Sequence, residues 1–216
     1  MANTSVQRAG LSQALAEMAR AGLSPGSTGN ASVRVEAGML ISPTGLACDA
    51  IRPEQLVLVK CDGSVPAGQL RPSSEWHMHL AVYQANADSH AIVHCHSRFA
   101  TTLASLRKSI PAYHYMIAVG GGNSIPCADY ATFGTEALAR NIVASLRDRK
   151  ACLMANHGQI ACGKTISDAL SLAIQLEDLA AGYYQALALG EPFILSDTEM
   201  KEVLEKFQTY GRQISR

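Results

Sequence analysis

The chain carries no net charge, with Lys+Arg and Asp+Glu each numbering 18 in 216 residues. No single-signed field therefore gathers nucleic acid or anionic lipid, and a negatively charged ligand has to be held by local geometry. No apolar run approaches the roughly 18 residues a membrane helix needs, and no basic segment followed by an apolar one opens the chain. A soluble, cytoplasmic protein with neither nucleic-acid nor membrane partners is expected. No C-x-x-C occurs among Cys48, Cys61, Cys95, Cys127, Cys152 and Cys162, and their spacing is not that of a small disulfide framework. Several lie in apolar, strand-like runs such as Ala151-Cys152-Leu153-Met154, so buried reduced thiols are expected. A Walker-type Gly-rich loop with its lysine is also missing, which argues against nucleotide phosphoryl transfer.

What is present suits one α/β domain spanning residues 1–216. Apolar residues make up 48% and charged residues 17%, an oily balance that favours burying surface in an oligomer. Leu11, Leu15, Met18 and Leu23 recur at helical spacing, which predicts a helix over 5–22. Alternation in Ser32-Val33-Arg34-Val35, a turn at Glu36-Ala37-Gly38 and the run Met39-Leu40-Ile41 predict a hairpin. A strand is expected over 56–60, with a second hairpin running toward Gln69. A helix is expected from Pro72 to about Gln84, then a strand ending at Ser97 and a helix over 99–106. Residues 112–119 read as a strand and 133–146 as a helix. Two strands meet at Asn156-His157-Gly158, and helices follow over 166–189 and 198–207. Hairpins interleaved with helices imply three layers, a mixed or largely antiparallel central sheet flanked by helices.

Within this frame the stretch Val93-His94-Cys95-His96-Ser97 stands out. Strand alternation places His94 and His96 on one face and turns Cys95 to the other, so two imidazoles can reach one metal ion. His157, at a turn beside a glycine, is a candidate third nitrogen, and three protein ligands with an open position is the pattern of a catalytic zinc site. Glu75, at a helix start, either compensates the helix dipole or serves as a metal ligand and proton acceptor, and spacing does not choose between these. His77, His79, His90 and His114 have no assigned role beyond surface or packing. Three loops rich in Gly, Ser, Thr and Asn, Ser27-Thr28-Gly29-Asn30, Ser42-Pro43-Thr44-Gly45 and Pro72-Ser73-Ser74, have the composition of a phosphate cradle.

The segments T-G-N-A-S-V-R, I-S-P-T-G, P-S-S-E-W, V-H-C-H-S, I-P-A-Y-H-Y-M-I-A, G-G-N-S-I-P-C-A-D-Y-A-T-F-G-T and N-H-G resemble the class II aldolase/adducin family over nearly the whole chain. Within it the resemblance is to the branch cleaving L-fuculose 1-phosphate. That resemblance implies one Zn2+ per subunit on His94, His96 and His157. It makes Glu75 a fourth ligand that becomes the catalytic acid/base once substrate displaces it, working on a zinc-stabilised enediolate. It implies that Thr28, Gly29, Asn30, Thr44, Gly45, Ser73 and Ser74 lie at the phosphate site. Tyr115 is implied to protonate the aldehyde oxygen from a neighbouring subunit of a homotetramer, with Phe133 and Tyr210 at the rim. The substrate is then a small sugar phosphate, split into dihydroxyacetone phosphate and an aldehyde such as lactaldehyde. Asn156 before His157, and S-T-G-N in place of D-G-N, depart from that branch and leave sugar specificity open. Aldolases or dehydratases of 5-deoxy and methylthio pentulose phosphates are neighbouring possibilities. Pentulose-phosphate 4-epimerases have Asp followed by Thr where Glu75 and Trp76 stand here. A non-catalytic adducin-like module would not need the three histidines, Glu75 and Tyr115.

Overall fold

The computed structural model describes residues 2–208. In chain order the elements are α1 (Ala2–Arg20), β1 (Asn30–Val35), β2 (Gly38–Ile41), β3 (Val57–Lys60), α2 (Trp76–Ala85), β4 (Ala91–Cys95), α3 (Arg98–Ser105), β5 (Ile110–Pro111), β6 (Ser124–Ile125), β7 (Cys127–Ala128), α4 (Glu136–Ser145), β8 (Ala151–Met154), β9 (Gly158–Gly163), α5 (Ile166–Leu189) and α6 (Asp197–Phe207). Among the described residues seven strands form one sheet in the order β3-β2-β1-β4-β9-β8-β7, and β5 pairs with β6. Every neighbouring pair is antiparallel except β7 with β8. The expected helix-flanked, largely antiparallel sheet is thus the fold observed.

Period-two alternation sorts the strand residues between two apolar layers. Leu40, Val93, Cys95, Leu153 and Ala161 face α1, α3, α5 and α6. Met39, Ile41, Ile92, Met154 and Ile160 face α2 and α4. The inner face of α1 carries Leu11, Leu15 and Met18, all fully buried, as their spacing requires. β4 lies between β1 and β9, so its C-terminal end, where the histidine pair stands, is enclosed on both sides.

Four expectations change. Residues 112–119 are not a strand: Tyr115–Gly120 forms a 3-10 helix, with His114 Nδ1 accepting the Met116 N–H and Gly121 closing it at φ 91°. An apolar run without alternation is compatible with either element, and the local cap decides. The second hairpin is absent; Gln69 instead bonds both backbone groups of Leu58 with its amide, standing in for a strand partner. α2 starts at Trp76 rather than Pro72. α4 starts at Glu136, where Thr135 accepts the Leu138 N–H, so Phe133 precedes the helix.

Candidate metal centre

Two chain segments deliver the histidines. His94 is the penultimate residue of β4 and is fully buried, and His96 follows the strand end. Their Nε2 atoms lie 3.0 Å apart. His157 comes from the turn between β8 and β9, where Asn156 adopts φ 54° and the His157 N–H bonds the Met154 carbonyl. Gly158 makes the approach possible: a Cβ there would stand 2.4 Å from the Cys95 carbonyl and 3.1 Å from His96 Cδ2. The three imidazoles meet edge to face with ring centroids 4.8–4.9 Å apart.

Glu75 closes the cluster. It occupies the N-cap position of α2 but makes no capping bond with its side chain. Its carboxylate turns inward, Oε2 lying 3.1 Å from His94 Nε2 and Oε1 3.1 Å from His157 Nε2. One donor atom from each of Glu75, His94, His96 and His157 falls within 4.8 Å of the others. Burial raises the carboxyl pKa, yet His94 and His157 outweigh it and hold Glu75 far below the usual carboxylate range. His96 is pushed down to about 4, first by burial and then by His94 and His157.

The donor set fits a divalent ion. His94 Nδ1 bonds the Gln159 carbonyl at 2.8 Å, and a carbonyl only accepts, so in the neutral ring Nδ1 carries the proton and Nε2 the lone pair. Oε1 of Glu75 is buried and lacks a hydrogen-bond partner despite its short distance to His157. Lone pairs converging this closely repel one another unless a cation lies among them.

Two sets of outer contacts were not legible in the sequence. Gln159, whose carbonyl orients His94, also donates its amide to Ser97 Oγ at 2.8 Å. Ser97 in turn donates to Glu177 of α5 at 2.6 Å. On the other side His79, expected at the surface or in packing, is fully buried and bonds Asn30 and Ser32. Burial of neutral imidazoles and a remote glutamate leaves no local sequence signal; only the folded register brings them together.

A cleft of about 340 Å3 opens onto the cluster. It is lined by Glu75, His96 and His157 together with Thr28, Gly29, Asn30, Thr44, Gly45, Ser73, Ser74 and Phe133. The loops holding Thr44 and Ser73 are joined by a Pro43–Pro72 β-bridge. Gly29, at φ 78°, packs where a Cβ would come within 2.9 Å of the His94 carbonyl. Tyr130 and Asn156, which the sequence reading left without a site role, also line the cleft. Tyr115 does not; it stands 47% exposed on the 3-10 segment. Tyr210 lies outside the described residues. Among the described residues, a larger groove between α2 and α4 contains none of the four donors.

A sheet whose enclosed strand end presents three imidazoles and a carboxylate to a polar cleft defines a protein able to hold a catalytic metal ion. Comparison with known proteins gives the family. The Class II Aldolase and Adducin N-terminal domain matches residues 9–184. The L-fuculose phosphate aldolase of Escherichia coli (strain K12) is 48% identical over 199 residues, covering 92% of each chain. The 5-methylthioribulose-1-phosphate/5-deoxyribulose-1-phosphate aldolase of Rhodospirillum rubrum is 46% identical over 204 residues, covering 94% of this chain and 92% of its own. A solved structure of L-fuculose 1-phosphate aldolase superposes with a TM-score of 0.90 at 38% identity, covering 94% of this chain and 96% of that one. The chain belongs to the class II aldolase and adducin family. It is an enzyme of the metal-dependent aldolase class, a carbon–carbon lyase.

Proposed function

We propose that the enzyme, a single catalytic domain, reversibly cleaves a ketose 1-phosphate of the L-fuculose 1-phosphate type into dihydroxyacetone phosphate and a short aldehyde of the lactaldehyde type. The observation that carries this reading is the meeting of Glu75, His94, His96 and His157 within 4.8 Å at a cleft ringed by small polar loops. Glu75, His94, His96 and His157 would hold one zinc ion per subunit, which when bound would supply Lewis acidity to the substrate.

The remaining chemistry falls to the chain's own groups. Glu75, an ionised carboxylate at neutral pH, takes the proton from the hydroxyl-bearing carbon of dihydroxyacetone phosphate in the condensation direction and delivers a proton to that carbon in the cleavage direction. Thr28, Gly29, Asn30, Thr44, Gly45, Ser73 and Ser74 hold the phosphate. Among the described residues no Lys or Arg lines the cleft, and hydroxyls, backbone N–H groups and the N-terminus of α2 are the groups there that meet that charge. Tyr115 donates the proton to the aldehyde oxygen in condensation and takes it from the corresponding hydroxyl in cleavage. Its exposure and its place outside the cleft of its own protomer support supply from a neighbouring subunit. Phe133, 64% exposed at the cleft, forms the rim, and Tyr210 shares that role. A cytoplasmic homotetramer suits the exposed apolar residues Leu187, Leu189, Phe193 and Ile194.

A second reading is favoured by the 46% identity to the Rhodospirillum rubrum protein, nearly equal to that with the fuculose enzyme. The substrate is then a 5-deoxyribulose or 5-methylthioribulose 1-phosphate, with the same chemistry and a different aldehyde end. Coupled detection of dihydroxyacetone phosphate, released from fuculose, rhamnulose, ribulose, 5-deoxyribulose and 5-methylthioribulose 1-phosphates with and without chelator, tests both. Chelator-sensitive release from one of these is expected, and no release from any of them refutes the proposal.

A further inference from the structure

Behind Glu75, Asn30 leads into a chain of buried side chains, Ser32, His79 and Tyr83, that the proposed reaction does not use. Asn30 Nδ2 donates to Glu75 Oε2 at 3.0 Å. Asn30 Oδ1 and His79 Nε2 are 2.6 Å apart. His79 Nδ1 lies 2.7 Å from Ser32 Oγ, and Ser32 Oγ lies 2.8 Å from the Tyr83 hydroxyl. Asn30, Ser32, His79 and Tyr83 are all buried, with exposures of 3%, 0%, 0% and 4%. The ladder has a simple origin. Asn30 and Ser32 are two apart on β1 and share a face; His79 and Tyr83 are four apart on α2 and share the side turned to the sheet.

The chemistry of the groups gives the chain one direction. An ionised carboxylate only accepts, so Asn30 must present its amide nitrogen to Glu75. Its carbonyl oxygen then faces His79, which must hold its proton on Nε2. The ring is fully buried with its Nε2–H spent on Asn30, so it is neutral and Nδ1, which faces the Ser32 hydroxyl, is an acceptor. Ser32 therefore donates to His79, and the Tyr83 hydroxyl donates to Ser32. Turning the Asn30 amide over would set its carbonyl against the carboxylate and break the sequence at both ends.

We infer that His79 is a positioning residue for Glu75: acting through Asn30 it tethers Oε2, leaving Oε1 as the oxygen that takes the substrate proton. Oε1 is the carboxylate atom that is buried without a hydrogen-bond partner. The inference rests on Glu75 being the base of the aldolase reaction.

The test measures solvent deuterium exchange into dihydroxyacetone phosphate without aldehyde, which isolates proton transfer, beside zinc content and KM. His79→Leu is expected to keep its zinc and its KM while exchange falls about 10-fold, the low end of the range for groups behind a metal ligand, since His79 acts through Asn30. His79→Gln, whose amide can donate to Asn30 and accept from Ser32, is expected to recover most of the rate. Ser32→Ala, a small change that folds even where leucine is not tolerated, is expected to give a lesser loss of the same kind. Nitrogen-15 spectra of the metal-free wild type should show His79 neutral with its proton on Nε2. Unchanged exchange in His79→Leu and Ser32→Ala, equal losses in His79→Leu and His79→Gln, or a proton on Nδ1 each overturns the inference. A wild type that exchanges no deuterium defeats the aldolase reading instead. The tautomer then decides the tether by itself, with Nε2–H upholding it and Nδ1–H overturning it.

Discussion

At Glu75 one carboxylate faces two histidines and a substrate cleft, and the two roles proposed for it separate on substitution. Glu75→Gln keeps the shape and an oxygen donor but removes the proton acceptor. Metal content is expected to hold, because three imidazoles remain, while turnover falls by about 10²- to 10⁴-fold. Near-normal turnover in that variant would remove Glu75 from the reaction. His96→Ala should behave differently, losing metal and activity together when both are measured on the same sample; full metal content there excludes His96 as a ligand. Acid should weaken the site through His94. Burial disfavours its charged form, but Glu75 and the Gln159 carbonyl raise its pKa above the ordinary histidine value. A proton on Nε2 blocks coordination, so affinity is full above that raised pKa and lost as pH falls through it. His96, held near 4, already offers its lone pair at higher pH and does not set this limit. Chelator-dye competition, with pH lowered from the alkaline side through that raised pKa, measures the effect, and a pH-independent affinity would contradict it.

The elements place these residues with little slack. Gly158 at the start of β9 leaves no room for a methyl group beside the Cys95 carbonyl. Gly158→Ala is expected to push the β8–β9 turn away from β4, lowering metal affinity through His157 even where the protein stays folded; equilibrium dialysis against zinc reads this directly. The N-terminus of α3 depends on a remote partner. Ser97 makes no capping bond of its own, and Glu177 accepts the N–H groups of Phe99 and Ala100. Glu177→Ala should cost about 2 kcal/mol, measured as a lowered midpoint of denaturation, and should loosen Gln159 behind His94. These dependencies mark how far the sequence could be read. The three-layer fold, the main helices and the histidine pair followed from periodicity, since burying one face enforces alternation in strands and 3.6-residue spacing in helices. The strand expected over 112–119 failed because that run alternates nowhere and a local His114 cap selects a 3-10 helix. The meeting of Glu75 with the histidines was open until α2 was seen to begin at Trp76, which frees its carboxylate. Glu177, Gln159 and His79 come into range through register and helix packing over 14 to 80 residues of separation, as for Gln159 with Ala173 and Ser97 with Glu177, and carry no local pattern.

For the whole molecule the open quantity is how many chains build one site. In the single protomer the cleft holds the metal-type donors and the polar loops, while Tyr115 projects from a different surface, on the segment that packs against α5 and α6. If a neighbour's Tyr115 completes each cleft, two inactive variants should rescue one another. Glu75→Gln supplies an intact Tyr115, and Tyr115→Phe supplies an intact Glu75. In a ring where each cleft draws its tyrosine from the next subunit, random mixing in equal amounts pairs the two intact groups at about one site in four. Refolding the variants together is therefore expected to restore about a quarter of wild-type activity, whereas mixing them after folding restores little if the subunits do not exchange. The same experiment at increasing dilution should lose the restored activity in step with dissociation, followed by light scattering. Absence of any rescue from co-refolded, assembled material would mean that each chain uses its own tyrosine or none. In that case the exposed position of Tyr115 would have to change when substrate binds, which fluorescence quenching of the tyrosines by iodide, with and without dihydroxyacetone phosphate, would detect.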